Sequence, residues 1–255
     1  MKLVTWNVNS IRARLDRCLA FLQRIGPDVV CLQELKVPDA DFPFDEIHQC
    51  GYQAAVFGQR TYNGVAILSR AAIENVVRGL PGDSTDDQAR LIAATTVGVK
   101  VVSVYVPNGQ SVGSEKWAYK LAWLTRLQDW LGSIDRAHPV AVCGDFNVAP
   151  EERDVARPEE WVHSVLCHGD ARAMMLGLIR SGWVDTMRLH HEGPGPFSWW
   201  DYRMLAFPKG NGLRIDHILT TSDLAERCSA VWVDRDERKG KKPSDHAPVI
   251  AEFGD

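Results

Sequence analysis

Residues 2–34, KLVTWNVNSIRARLDRCLAFLQRIGPDVVCLQE, hold two apolar runs, KLVTWNV at 2–8 and DVVCL at 28–32, around a stretch of different period. Between them, Ile11, Leu15, Leu19 and Leu22 recur at helical spacing from Ser10 to Ile25. A serine that can cap the first turn opens this stretch, and Gly26-Pro27 closes it. The second apolar run is short and continuous, as a buried strand is, and its end delivers Gln33 and Glu34 into a loop. The order strand, helix, strand predicts an α/β unit.

Outward from that unit, strands are expected at Val65 to Ser69, Leu91 to Val97 and Val99 to Val106, the last two parted only by Gly98 as in a tight hairpin. This part reads as mainly antiparallel. An amphipathic stretch from Ser114 to Ile134, with Trp117, Leu121, Leu124, Leu127 and Leu131 on one side, precedes a strand at Pro139 to Cys143. Helices at Glu159 to Val165 and Asp170 to Ile179 come next, then strands at Phe197 to Trp200, Arg214 to Thr220, Ser229 to Val233 and Ala247 to Phe253. With no repeat or low-complexity linker, the pattern predicts one layered α/β domain over residues 1–255, with polar strand ends converging on one edge.

Composition narrows the class. Hydrophobic residues are 45% and charged residues 24%, ordinary for a soluble globular chain. The opening MKLVTWNVNS is too polar for a signal peptide and no run of eighteen apolar residues occurs, so a cytoplasmic protein without a membrane partner is expected. The six cysteines form no CxxC pairs and read as reduced, small hydrophobes. A formal net charge of -4 offers nucleic acid no general attraction, but Arg12, Arg14 and Arg17 cluster near the start, and Arg235, Arg238, Lys239, Lys241 and Lys242 near the end. Each cluster reads equally well as a solvated face.

The chemistry-bearing residues sit at strand ends: Asn7, Glu34, Tyr105, Asn108, Asp145 and Asn147. Asp216 lies inside LRIDHIL, where a carboxylate is costly unless paired, and Asp245-His246 precede the last strand. A hard cation such as Mg²⁺ prefers carboxylate and amide oxygens, which suits Glu34 and Asn7. An aspartate beside a positive centre can activate water, and a histidine bonded to an aspartate can stay protonated against developing negative charge. Asp145 and the Asp216/His246 pair are the candidates, and the set fits phosphodiester hydrolysis. His163, Cys167, His168, His190 and His191 follow no zinc-finger spacing and read better as polar residues of helices and loops.

WNVNSIRAR at 6–14, LQELK at 32–36, YVPNG at 105–109, GDFNVAP at 144–150, FSWWDYR at 197–203, GLRID at 212–216 and KPSDHAPV at 242–249 resemble the successive motifs of the exonuclease III family. The resemblance runs in order over nearly the whole chain. It implies a deoxyribonuclease I-like four-layer α/β sandwich, two mainly antiparallel sheets flanked by helices. It also implies a Mg²⁺ enzyme, with Mn²⁺ as a substitute. Glu34 is then the principal metal ligand with Asn7 beside the ion, and Asp145, Asn147, Asp245 and His246 lie within reach of the metal or its water. Tyr105 would contact the scissile phosphate, Asp145 would handle the water or leaving-group proton with Asn147 orienting it, and His246, paired with Asp216, would bind the phosphate. Trp199, Trp200 and Leu213 would form a small pocket for a base-free deoxyribose, with Asn108 and Arg203 against the DNA.

The implied activity is DNA repair: incision of duplex DNA 5′ to abasic sites, 3′ to 5′ exonuclease action and cleaning of 3′ ends, by a monomer. The same metal site would serve a phosphatase or phosphodiesterase acting on small molecules or lipid head groups. A catalytically idle DNA-binding module is disfavoured by the intact Glu34, Asp145, Asp216 and His246.

Overall fold

The computed structural model describes residues 1–82 and 86–254. Its strands are β1 Lys2–Asn7, β2 Val29–Gln33, β3 Gln53–Phe57, β4 Val65–Ser69, β5 Glu74–Arg78, β6 Leu91–Thr96, β7 Val99–Tyr105, β8 Val140–Asp145, β9 Val184–Asp185, β10 Asp216–Thr220, β11 Cys228–Val233 and β12 Val249–Phe253. The helices are α1 Ile11–Ile25, α2 Phe44–Gln49, α3 Glu115–Ser133, α4 Pro158–Trp161, α5 Gly169–Arg180, α6 Thr186–His190, α7 Ala206–Lys209 and α8 Ser222–Glu226.

Two six-stranded sheets form, in the orders β11-β12-β1-β2-β4-β3 and β5-β6-β7-β8-β10-β9. Each is antiparallel except for one central parallel pair, β1 with β2 and β7 with β8. A parallel pair needs a crossover, and α1 and α3 supply them. The sheets are therefore mixed, and the expected four-layer sandwich stands. Alternation along a strand explains the layers. Leu3, Val29 and Cys31 face the second sheet with Val101, Ala141 and Cys143, whereas Val4, Trp6, Val30 and Leu32 face outward against Ile11, Phe21 and Leu22 of α1. On the other side, Val102, Val104, Val140 and Val142 pack under Leu124, Leu127 and Leu131 of α3 and Met175 and Leu178 of α5. No helix among the described residues is long and apolar enough to cross a membrane.

Local chemistry starts and stops these elements. Ser10 Oγ accepts from Ala13 N–H at the head of α1, and Gly26, in the left-handed region at φ 60°, returns its N–H to the Leu22 carbonyl. Val97 and Gly98, both at positive φ, make the two-residue turn between β6 and β7.

Two expectations are corrected. Phe197–Trp200 is not a strand: only Trp199 pairs, through lone bridges to Leu213 and His246, because both neighbours there are loops. The helix expected over Glu159–Val165 ends at Trp161. Short elements with no clear periodicity, such as the largely exposed edge strand β5, were invisible to pattern reading.

Candidate active site

The parallel pairs of both sheets end at one edge of the sandwich. Asn7 closes β1, Glu34 follows β2, Tyr105 closes β7 and Asp145 closes β8. Tyr105 lies in register beside Asp145, and Asp145 in register beside Asp216, the first residue of β10. The loop before β12 brings His246 to the same place, its carbonyl accepting from the Trp6 indole N–H at 3.2 Å. Glu34 at φ 52° and Asn147 at φ 50° hold left-handed backbone just past their strands, a conformation that costs about 1 kcal/mol or more outside glycine. Gly144 is required for a different reason: a Cβ there would lie 2.0 Å from the Val104 carbonyl oxygen.

The side chains converge. Asn7 Nδ2 donates to Glu34 Oε1 at 2.8 Å and to Asp145 Oδ2 at 3.0 Å, joining the two sheets. Asp145 Oδ1 accepts the Asn147 N–H at 2.8 Å, and Asn108 Nδ2 donates to Asn147 Oδ1 at 3.0 Å. His246 Nδ1 lies 2.8 Å from Asp216 Oδ2, which also accepts from Ser198 Oγ at 2.6 Å, while His246 Nε2 is 3.7 Å from Asp145 Oδ2. Ligand atoms of Glu34, Asp145 and His246 all lie within 4.8 Å of one another, a grouping whose two carboxylates could hold a metal ion beside the imidazole.

Electrostatics follow from burial and proximity. Burial works against a charged His246, but Asp216 and Asp145 outweigh it and lift the imidazole to about 10, so it is a cation at neutral pH. Burial and then Asp216 push the Asp145 carboxyl upward, against the pull of His246 and Asn7. Burial, Glu34 and Asp145 raise the Tyr105 phenol well above its usual value, so it is a neutral donor, with the Arg90 guanidinium 5.0 Å over its ring. Glu34, Asp145 and Asp216 thus crowd around one imidazolium, with Lys36 Nζ at 2.8 Å from Glu34. This excess of hard oxygen donors and negative charge fits a divalent cation of the magnesium type.

Other expected residues fall elsewhere. Asp245 is outside the three-residue grouping: Asn9 Nδ2 holds its Oδ1 at 2.9 Å and the Trp199 indole N–H its Oδ2 at 3.0 Å. Trp199 is half-buried and, with Trp161, His163, Val165, Leu166, Asn108 and Asp201, borders a recess of about 380 Å³. Trp200 and Leu213 are fully buried and do not line it. Leu213 belongs to the core under α3, and Trp200 packs on Ala206, Phe207 and Ala247. Successive residues of extended chain point to opposite sides, so only one of the two tryptophans can face the recess. Arg203 is exposed and stands outside the recess, its N–H donating to Asp201 Oδ1.

Sequence reasoning missed several neighbours of the site. Lys36 bonds both Asn9 Oδ1, at 2.5 Å, and Glu34, and it lay unread in the quoted LQELK motif. Met204 and Leu205, 82% and 67% exposed, form an apolar tip with left-handed backbone, a feature that only exposure reveals. The two basic clusters meet: Arg12, Arg14, Arg17, Lys241 and Lys242 line one cleft of about 540 Å³. The scattered histidines take separate duties. His168 caps α5, and His190 and His191 reach the carbonyls of Cys228 and Val231.

Comparison with known proteins matches this geometry. Residues 4–246 fit the model of the Endonuclease/Exonuclease/phosphatase family. Exodeoxyribonuclease III of Haemophilus influenzae is 37% identical over 266 residues, covering 99% of this chain and all of the relative. An AP endonuclease structure from Archaeoglobus fulgidus superposes with a TM-score of 0.96 at 41% identity over 99% of both chains. A 3′ phosphatase from Neisseria, bound to a product DNA hairpin, gives 0.97 at 40% identity over 100% of this chain and 99% of that one. The chain belongs to the Endonuclease/Exonuclease/phosphatase family, and within it to the exonuclease III group.

Proposed function

We propose that the protein is a Mg²⁺-dependent DNA-repair nuclease that incises duplex DNA 5′ to abasic sites and trims or cleans 3′ ends. The observation that carries this reading is the meeting of Glu34, Asp145 and His246 within 4.8 Å at an edge where both sheets end. Whole-length similarity to an exodeoxyribonuclease III and to an AP endonuclease supports DNA as substrate.

Glu34 and Asp145, with the amide of Asn7 beside them, would hold the cation, which when bound supplies charge that polarises a phosphoryl oxygen. The remaining work belongs to the chain. The His246 imidazolium, fixed by Asp216, donates toward phosphate oxygens and stabilises their growing charge. Asp145, oriented by the Asn7 amide and the Asn147 N–H, is the acceptor for a proton of the attacking water. Tyr105 adds a neutral phenolic donor. The groove of about 550 Å³ bordered by Glu34, Tyr62, Arg90, Tyr105 and Asn108 leads one flank of the duplex to this centre, and the recess beside Trp199 receives the sugar that lacks its base.

The test is incubation with Mg²⁺ and three duplexes, carrying one abasic analogue, a 3′-phosphate or a recessed 3′ end, beside inositol phosphates as the small-molecule alternative. Cleavage of DNA that EDTA abolishes and Mg²⁺ or Mn²⁺ restores is expected. Turnover of inositol phosphates with inert DNA at every metal concentration would replace the reading with the alternative one.

A further inference from the structure

Lys120, on α3, is fully buried, a rare position for an ammonium. Its Nζ donates to three main-chain carbonyls, those of Asn108 at 3.2 Å, Asn147 at 2.7 Å and Val165 at 2.8 Å. Burial pulls the ammonium down to about 7, against the pull of Asp145. The three acceptors, however, use all three N–H groups of the charged form, whereas a neutral amine would turn its lone pair on a carbonyl, so the geometry favours the ammonium. The carbonyls belong to three segments far apart in sequence, and each segment carries a wall of the site. Asn108 bonds the side chain of Asn147, the Asn147 N–H holds Asp145 Oδ1, and Val165 borders the recess with Trp199. The packing is close: Gly109 sits at φ 95°, and a Cβ there would be 3.0 Å from Lys120 Cδ and 3.2 Å from the Trp117 ring.

A methionine of the same length would avoid burying the charge but would leave three carbonyls without their donor, so what the ammonium adds is the fastening of three segments at one point. We propose that Lys120 is a positioning residue for phosphodiester cleavage, clamping three loops so that Asn108, Asn147 and Asp145 keep the geometry of attack. The proposal rests on the nuclease reading above. Lys120 touches no substrate. It acts through Asn147, whose backbone carbonyl it holds and whose N–H orients Asp145.

The experiment compares Lys120→Met with Leu127→Ala, a core truncation on the same helix, in kcat, KM, duplex Kd and Tm. Lys120→Met is expected to lower kcat on the order of 10–100-fold with KM and Kd within about twofold, beyond the loss in Leu127→Ala at equal loss of Tm. A kcat near wild type, a loss no greater than that of Leu127→Ala, or a change confined to KM overturns the proposal. Should Lys120→Met lack a cooperative thermal transition, Lys120→Arg decides, since it keeps the cation but displaces the donors. Lowered kcat at unaltered KM supports positioning, and wild-type kcat overturns it. If the wild-type protein cleaves no DNA, the nuclease reading fails separately, and the same comparison is made on bis(p-nitrophenyl) phosphate.

Discussion

Trp199 and Trp200 are adjacent and chemically identical, yet one borders the recess and the other fills a small core. Trp199 gives its indole N–H to Asp245 and stands edge-on to Trp161 at 5.6 Å. Trp200 is edge-on to Phe207 at 5.1 Å, and Gly212 lies so close that a Cβ would meet the Trp200 indole nitrogen at 2.3 Å. The two truncations should therefore separate. Trp199→Ala is expected to shift the ratio of abasic incision to 3′-end trimming at little change in Tm. Trp200→Ala is expected to cost about 3–5 kcal/mol of unfolding free energy, as emptying a buried aromatic site does. Urea melts and paired-substrate rates check both, and an unchanged substrate ratio in Trp199→Ala would remove that ring from the recess's function. The sequence could not tell these tryptophans apart, because alternation puts them on opposite sides without saying which side holds the recess. Asp216 was legible for the opposite reason: a carboxylate inside LRIDHIL must find a partner, and His246 is that partner.

At the scale of elements, β10 is held by a charged cluster beneath the site. Buried Arg214 reaches Asp154 Oδ1 at 2.6 Å, Asp185 Oδ2 at 2.8 Å and His217 Nδ1 at 3.0 Å, and Arg188 also pairs with Asp154. Because Arg214 can only donate, His217 Nδ1 must accept, and its Nε2–H is left to donate to the Val148 carbonyl at 2.9 Å. The ring is therefore neutral, and burial and then Arg214 depress it from 6.5 to about 4. Its protonation occurs in the unfolded chain first, so stability is whole above 6.5, falls as pH drops, and levels off below about 4. The loss reaches about 2–3 kcal/mol by a pH of about 4.5. His217→Gln, which keeps a donor and an acceptor, is expected to flatten this slope in urea melts between neutral and mildly acidic pH. An identical slope in both proteins would assign the acid sensitivity to other groups. Burial alone would raise the Asp154 carboxyl, but Arg214 and Arg188 hold it at about 2, so its contribution fades only at lower pH. This cluster was not readable in advance, since it joins three separate stretches. The capped, amphipathic α1 and α3 and the continuous apolar β2 and β8 were readable, because their periodicity is set by burial on known faces.

The whole molecule repeats one device: each sheet has a central parallel pair with its crossover helix outside, and the two pairs end at the same edge. That arrangement is why polar strand ends distant in sequence converge, and why a strand-helix-strand reading of residues 2–34 already put Asn7 and Glu34 at one edge. Charge behaves similarly. The formal net charge is -4, yet basic residues from both ends of the chain gather beside the candidate site. Arg14 bonds the Asn9 and Pro243 carbonyls, Arg17 bonds those of Glu237 and Lys239, and Asn9 reaches Asp245. The patch is thus fastened to the loop that carries Asp245 and His246. Phosphate contacts release counterions, so each lysine that makes one adds roughly one to the slope of log K against log salt. Lys241 and Lys242 are exposed at this rim and free of any catalytic duty assigned above. Replacing both with alanine is expected to lower that slope by about two and to raise KM at moderate salt, while kcat at saturating DNA holds. Fluorescence anisotropy over a salt series measures the slope, with Arg180→Ala at the end of α5 as the control. A double variant whose slope matches that of the wild type would place the duplex elsewhere on the molecule.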